Sequence, residues 1–213
     1  MIDRKASNEK ARAFFEDLWN RGDPWNFESS EFEDHKYERQ LALLTSRRYK
    51  YALEIGCGAG SFTRRLSTVA DRVLALDIAT NAITQAQQNM IDSRSVEYRV
   101  ANIMEFNLRE HGPWDLVVLS ETIYYLGWLY SFFDLAWMAS ELFEMTSSGG
   151  ELLMANTRGG VDDYLLRPWI IQTYRDLFLN VGYALKSEEV FSGSKDRVEI
   201  EVLMSLFTKP EAL

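Results

Sequence analysis

A short apolar run that ends in closely spaced glycines constrains this fold more than any other feature of the sequence. Residues 53–61 read LEIGCGAGS, with Gly56, Gly58 and Gly60 at alternate positions. Glycines directly after a strand let the backbone turn sharply and approach a ligand closely, and the following helix offers unpaired N–H groups. The pattern therefore predicts a strand, a ligand-binding loop and a helix in succession.

From residue 51 onward, short apolar runs alternate with helical segments. This alternation predicts parallel strands joined by right-handed crossovers in a doubly wound sheet. The last two strand-like runs, 183–191 and 197–207, are separated by turn residues and predict an antiparallel hairpin, which makes seven strands in all. The other predicted strands cover 51–55, 72–77, 96–101, 114–119 and 150–155, and the helices between and after them cover 60–69, 79–91, 129–145 and 169–180.

Two further helices are predicted before the first strand, near 7–20 and 32–45, from the spacing of their apolar residues. Since they precede the α/β pattern, we interpret residues 1–48 as a helical lid over the substrate. Residues 49–213 then form the cofactor-binding core, and residues 1–213 form a single domain.

Composition excludes several classes of protein. The chain has 213 residues, 46% of them hydrophobic, and a formal net charge of -9 without a basic run, which disfavours nucleic acid as a partner. No apolar stretch reaches the length of a membrane span, the N-terminus lacks the apolar core of a signal peptide, and one cysteine cannot form an internal disulfide. We expect a cytoplasmic protein with a small-molecule partner, as a monomer or homodimer.

Two acidic residues indicate what kind of ligand the glycine loop binds. The loop reads G-x-G-x-G rather than the G-x-G-x-x-G of dinucleotide sites, and Glu54 precedes it by two residues. A carboxylate there repels a pyrophosphate but can hold an ammonium group, directly or through water. Asp77 ends the second strand, where a carboxylate can accept hydrogen bonds from both hydroxyls of a ribose. The pair predicts a ligand with a ribose and no phosphate, and disfavours a nicotinamide-dependent oxidoreductase.

At this point the chain resembles the class I S-adenosylmethionine-dependent methyltransferases, which have a Rossmann-like fold. LEIGCGAGS matches their first motif and LALD, ending at Asp77, their ribose-binding acid. The resemblance implies S-adenosylmethionine as cofactor and S-adenosylhomocysteine as product. It also implies that Ile78 and Ile103 sandwich the adenine and that Asn102, where the family usually has Asp, meets the exocyclic amine.

A closer resemblance is to the nodulation protein S family, which comprises N-methyltransferases of amino-sugar oligosaccharides. It is carried by DPW at 23–25, by the second helix, by LEIGCGAGSFT at 53–63 and by DLVVLSETIYYL at 115–126. These segments reach into the N-terminal helices, where other methyltransferases diverge. The resemblance implies an amine as the methyl acceptor.

Catalytic candidates follow the fourth strand. Ser120, Glu121, Tyr124 and Tyr125 lie where its carboxyl end is predicted, and open parallel sheets bind their ligands at that end. Ser120 is a candidate for the cofactor, Glu121 and Tyr124 for orienting or deprotonating the acceptor, and Tyr125 for contacting it. In the alternative interpretation, Glu121 only stabilises a helix N-terminus and the tyrosines only pack.

The predicted lid supplies further candidates. His35 is either a base or a solvated helix residue, and Trp25 either covers the methionine end of the cofactor or anchors the lid. Cys57 lies within the glycine loop and is expected to line the cofactor without acting as a nucleophile. No metal-binding pattern is present. The acidic residues at 28, 31, 33 and 34 form a solvated face or attract a cationic amine. The candidates for contact with the acceptor are Tyr37, Arg39 and Trp128. Trp128 belongs to an aromatic cluster that also fits helix packing.

The sequence thus predicts transfer of a methyl group to a small-molecule acceptor, with an amine nitrogen favoured. O-methylation of a hydroxyl or carboxylate remains open, since it also needs a base near the methyl group. A protein that binds the cofactor without catalysis also fits the fold.

Overall fold

The computed structural model describes residues 4–27, 29–90, 94–159 and 163–211. They belong to two compact units, residues 1–107 and 108–213. The first two helices therefore share a unit with the strands that follow them, while the boundary predicted at residue 48 stays a prediction. Glu28, one of the acidic residues singled out above, lies outside the described residues.

The N-terminal unit has three parallel strands, with β2 in the centre of β3-β2-β1. Glu54 pairs in register with Ala75, and Asp77 with Val100, so the ends of these strands carry the acidic residues of the predicted cofactor site. The elements are α1 (Arg4–Trp19), α2 (Glu31–Leu44), β1 (Tyr49–Ile55), α3 (Ser61–Val69), β2 (Ala70–Asp77), α4 (Thr80–Asn89) and β3 (Val96–Val100).

The C-terminal unit combines a parallel strand pair with an antiparallel hairpin. Strand β5 pairs with β4 in parallel and with β7 in antiparallel orientation, and β6 and β7 form the hairpin. A short 3-10 helix covers Tyr164–Leu166, and the other elements are α5 (Leu108–His111), β4 (Trp114–Ser120), α6 (Ile123–Leu129), α7 (Phe132–Met145), β5 (Thr146–Thr157), α8 (Pro168–Asn180), β6 (Ala184–Lys195) and β7 (Val198–Thr208).

The strand order β3-β2-β1-β4-β5-β7-β6 confirms the predicted fold, a seven-stranded sheet that is mostly parallel and has an antiparallel hairpin at its C-terminal end. The helix predicted at 129–145 begins later, at Phe132 of α7, and a separate helix before it, α6, was not predicted. The break comes at Ser131, whose side chain accepts a hydrogen bond from the Asp134 N–H while the Asp134 carboxylate accepts one from the Ser131 N–H. This capping box starts a new helix where the apolar pattern appears continuous.

None of the helices in the described ranges is both long enough and apolar enough to span a membrane.

Candidate functional site

The glycine loop has the backbone conformation that its sequence predicts. Gly56, Gly58 and Gly60 have φ values of 78°, 53° and 82°, in the left-handed region that residues with a Cβ avoid. Space is limiting as well, because a Cβ on Gly60 would lie 2.7 Å from the Tyr98 hydroxyl and one on Gly58 would lie 3.0 Å from the Trp19 ring. The loop is anchored to β2, since the N–H groups of residues 56 and 57 donate to the Leu76 carbonyl at 2.8 and 2.9 Å.

Asp77 ties this loop to the end of β2. Its Oδ2 accepts a hydrogen bond from the Gly58 N–H and its Oδ1 one from the Ala79 N–H, both at 2.9 Å. Burial raises the pKa of the carboxyl to about 6, and these backbone donors oppose that rise. The structure thus gives Asp77 a role in holding the loop in addition to the predicted ribose contact, for which each oxygen retains a second lone pair.

Glu54 carries an unsatisfied buried oxygen at the end of β1. Its side chain is buried, and Oε2 has no hydrogen-bond partner among the residues described. Burial raises the pKa of Glu54 to about 8; the Thr63 hydroxyl opposes this rise, and the negative charge of Asp77 adds to it. A buried carboxyl of this kind favours a cation at its open oxygen, because the cation compensates the desolvation of the charged form.

A series of aromatic rings connects the glycine loop to α2. The closest ring centroids are 5.8 Å apart for Trp19 and Trp25, 5.2 Å for Trp25 and Phe27, 6.3 Å for Phe27 and Tyr37, and 5.6 Å for Tyr37 and Phe62. The series begins at Trp19, which packs on Gly58, and ends at Phe62, the second residue of α3. Sequence reasoning missed Trp19 as a site residue, since its helical spacing indicates only that it is buried.

Asn102 lies in the turn after β3. Its Oδ1 accepts a hydrogen bond from the Met104 N–H at 3.1 Å, and its Nδ2 donates to Asn8 Oδ1 at 3.1 Å and to Glu105 Oε2 at 3.4 Å. Ile103 beside it is buried, and Ile78 is half-buried after the end of β2. Asn8 and Glu105 also line an open cleft of about 480 Å³, whose other lining residues are Lys5, Glu9, Arg12, Ala13 and Glu16.

In the C-terminal unit, Glu121 is held in place from several directions. Its Oε2 accepts hydrogen bonds from the Thr157 N–H at 2.9 Å and from the Tyr124 hydroxyl at 3.1 Å, and its Oε1 accepts one from the Thr157 hydroxyl at 3.0 Å. The backbone has φ 54°, which is unusual for a residue other than glycine. Such a conformation is maintained by the surrounding contacts and is frequent at functional sites.

Asn156 positions the segment that carries these residues, and no pattern in the sequence predicts this role. The fully buried side chain accepts hydrogen bonds from the N–H groups of Thr122 and Ile123 at 3.0 and 3.3 Å, and donates to the Leu119 carbonyl at 3.4 Å. Asn156 thereby satisfies the N-terminus of α6, which has no side-chain cap of its own.

The remaining candidates after β4 are distributed over packed and exposed positions. Tyr125 packs on Tyr124 with ring centroids 4.6 Å apart, and Trp128 is exposed. Ser120 Oγ is buried and has no hydrogen-bond partner within the described part of the chain.

In the N-terminal unit, His35 and Arg39 lie on the exposed face of α2, whereas Tyr37 is buried within the aromatic series. Burial raises the pKa of the Cys57 thiol, which keeps it protonated. The ranges that the structure covers contain no group of side chains suited to a metal ion.

One expectation for α2 is wrong. Glu33 does not lie on a solvated acidic face; it is buried and pairs with Lys36, also buried, at 2.5 Å. The opposite charge three residues along the helix explains how a carboxylate can occupy the inner face. The same spacing is found on many solvated helices, so the pattern did not reveal this.

The family model described as Nodulation protein S (NodS) matches residues 7–164 of the chain. The chain belongs to the NodS family. This match confirms the resemblance found from the glycine loop, the second helix and the segment after β4. It extends from α1 to the 3-10 helix, so it covers both candidate sites.

Relatives of this NodS-family chain include Nodulation protein S of Sinorhizobium fredii, 33% identical over 105 residues, which are 49% of this chain and 48% of that protein. Nodulation protein S of Rhizobium tropici is 31% identical over 140 residues, 64% of this chain and 56% of that protein. The alignments span about half the length of these curated relatives.

The N-methyltransferase NodS from Bradyrhizobium japonicum WM9, solved in complex with S-adenosyl-L-homocysteine, has the same fold. The TM-score is 0.80 at 24% identity, over 94% of this chain and 99% of that one. The magnesium protoporphyrin IX methyltransferase of Synechocystis PCC 6803, solved with bound S-adenosylmethionine, gives a TM-score of 0.66 at 14% identity, over 93% of this chain and 97% of that one. The fold is that of S-adenosylmethionine-dependent methyltransferases, as the sequence predicts.

Proposed function

We propose that this NodS-family chain transfers a methyl group from S-adenosylmethionine to the nitrogen of a small amine, with an amino sugar as the favoured acceptor. The observation that carries the proposal is the buried Glu54 carboxyl with its open oxygen beside a glycine loop that admits no Cβ at Gly58 or Gly60. A cofactor with an ammonium group and no pyrophosphate fits that combination. The N-methyltransferase activity named for the B. japonicum relative supports the choice of an amine.

The chain's own residues fit this cofactor in a consistent way. Glu54 would bind the ammonium of the methionine part, Asp77 the ribose hydroxyls, and the loop backbone would lie against the ligand where a side chain would collide. Ile78, Asn102 and Ile103 would contact the adenine. When bound, the cofactor supplies an activated methyl group on a sulfonium, so the protein contributes binding and alignment.

On the acceptor side, we assign different tasks to Glu121 and Tyr124. The carboxylate of Glu121 already accepts three hydrogen bonds, so its main task is to fix the Tyr124 hydroxyl. The Tyr124 oxygen can then accept a hydrogen bond from an N–H of the amine. This hydrogen bond keeps the lone pair of the amine nitrogen directed at the methyl group. Holding two reactants in line contributes on the order of 7 to 11 kcal/mol to catalysis. His35 lies on the exposed face of α2 and has no part in this proposal.

Transfer of a labelled methyl group tests the proposal. We expect D-glucosamine and simple primary amines to become labelled in a time-dependent way, and phenols and carboxylates to remain unlabelled. Labelling of phenols alone would identify an O-methyltransferase, an activity named for a relative from Burkholderia orbicola that is 32% identical over 75 residues. Binding of S-adenosylhomocysteine without labelling of any acceptor would identify a non-catalytic binder, and binding of NAD alone would contradict the cofactor assignment.

The cytoplasmic location and the monomeric or homodimeric state remain predictions from the sequence. Gel filtration with light scattering tests the second of these directly.

A further inference from the structure

The inner face of α2 carries polar side chains where an apolar stripe is expected. Glu33, Lys36 and Gln40 are exposed by 4%, 1% and 0%. Their spacing of three and four residues places them next to one another along one side of the helix. Few natural helices bury three such residues in a row, because each one loses hydration on folding.

Gln40 is the member of this row that the fold leaves unsatisfied. Glu33 and Lys36 form an ion pair, whereas neither Nε2 nor Oε1 of Gln40 has a hydrogen-bond partner in the described ranges. A buried amide without partners destabilises a fold, because its lost hydration is not compensated, so a leucine would be the more stable choice at this position. The conflict between stability and residue choice is typical of functional positions.

The neighbours of Gln40 along α2 connect this helix to the start of α3. Tyr37, three residues earlier and so about 4.5 Å along the helix axis, stacks on Phe62 of α3 with planes 26° apart. Lys36 Nζ lies 5.0 Å from the Tyr37 ring centroid and 5.7 Å from that of Phe27. Lys36, four residues before Gln40 on the same buried face, therefore lies among aromatic rings, on the helix whose Tyr37 packs against the first turn after the glycine loop.

We propose that Gln40 is a specificity-determining residue that binds a neutral hydrogen-bonding group of the methyl acceptor. This inference rests on the proposed function. A primary amide presents donors and an acceptor side by side, which complements neighbouring hydroxyls or an amide on the acceptor and gives nothing to an apolar amine. A site that hydrogen-bonds a substrate discriminates strongly against an analogue that lacks the group, because its buried polar atoms are then left unpaired.

Two amines of the same ring size separate this role from a structural one. We expect Gln40→Leu to weaken binding of D-glucosamine by about 10- to 100-fold, measured by saturation-transfer NMR with S-adenosylhomocysteine present. Binding of cyclohexylamine, which has no hydroxyls, should change less than about 2-fold. Gln40→Leu should melt at the wild-type temperature or above, because an unsatisfied buried amide is removed. Gln87→Leu, on the exposed side of α4, is the matched control and should leave both amines unaffected.

The possible results distinguish a failure of this inference from a failure of the proposed function. Unchanged glucosamine binding in Gln40→Leu, or equal losses for both amines, would overturn the inference, as would absence of glucosamine binding to the wild-type protein. Glucosamine binding that depends on Gln40 without methyl transfer would leave the inference standing and contradict the proposed function. If Gln40→Leu does not fold, Gln40→Met keeps the chain length and an apolar end, and the same two amines give the same reading.

Discussion

Glu54 in the N-terminal unit and Glu121 in the C-terminal unit are the same residue type in opposite surroundings. Glu54 lies at the end of β1 and buries an oxygen that has no hydrogen-bond partner among the described residues, whereas Glu121 follows β4 and accepts hydrogen bonds at both of its oxygens. An unsatisfied buried carboxyl binds a cationic ligand well, because the ligand supplies its missing partner. A satisfied carboxylate instead holds its neighbours in place, so the difference separates a binding residue from a positioning residue.

Among the substitutions considered, one in the glycine loop beside Glu54 should cause the largest loss in unfolding free energy. We expect Gly60→Ala to destabilise the protein by about 2 to 5 kcal/mol, from the left-handed backbone and the collision with Tyr98 together. Gly22 is the matched control, since it also has positive φ but has nothing within 4 Å of the added Cβ. Gly22→Ala should lose only about 1 to 2 kcal/mol. Equal losses for the two variants, measured by urea unfolding, would show that the loop is not tightly packed.

Glu121→Gln tests whether the fully hydrogen-bonded Glu121 carboxylate holds its neighbours in place. An amide cannot accept at both ends, so its Nε2 would face a donor, and we expect a loss of about 1 to 3 kcal/mol in unfolding free energy. Methyl transfer should decline with little change in cofactor affinity, because Tyr124 loses its fixed hydroxyl position. Glu199→Gln, at an exposed position of β7, serves as the control. A Glu121→Gln protein with wild-type stability would contradict the positioning role.

The pH dependence of the unfolding free energy tests whether the Glu54 carboxyl is buried without a charged partner. Burial raises the pKa of Glu54 from 4.5 to about 8, so between these values the folded protein without cofactor binds more protons than the unfolded chain. The contribution of Glu54 is therefore present at low pH and is lost as the pH rises through about 8, with a slope of at most about 1.4 kcal/mol per pH unit. Asp77 acts in the same direction up to about pH 6.

The measurement is a series of urea unfolding curves from pH 6.5 to 8.5. Glu54→Gln should flatten the decline in this range, where Asp77 has little further effect. The same slope in wild type and Glu54→Gln would show that Glu54 does not titrate there.

The sequence predicts the order of the strands and helices and the position of the glycine loop. It does not predict which polar side chains are buried. The three glycines, Glu54 and Asp77 could be placed because backbone conformation and strand ends leave local signals in the sequence. Trp19 and Asn156 could not, because each contacts residues distant in the chain, and Gln40 could not, because the sequence around a buried amide does not differ from that around an exposed one. The start of α7 was placed three residues early for a related reason, since a capping box can begin a helix within an apolar pattern without changing that pattern.

Calorimetric titration of wild type and Glu54→Gln with S-adenosylhomocysteine at pH 8.5 tests the central claim most directly. With Glu54 largely ionised, the ammonium of the ligand gains a charged partner, and we expect the substitution to weaken binding about 10- to 100-fold. Near pH 7, wild-type binding should also release a proton, which appears as a dependence on buffer ionisation enthalpy that Glu54→Gln lacks. Glu97→Gln, which changes an exposed carboxylate of β3, should bind as wild type does. Equal affinity of wild type and Glu54→Gln at pH 8.5 would contradict the claim that Glu54 binds the cofactor.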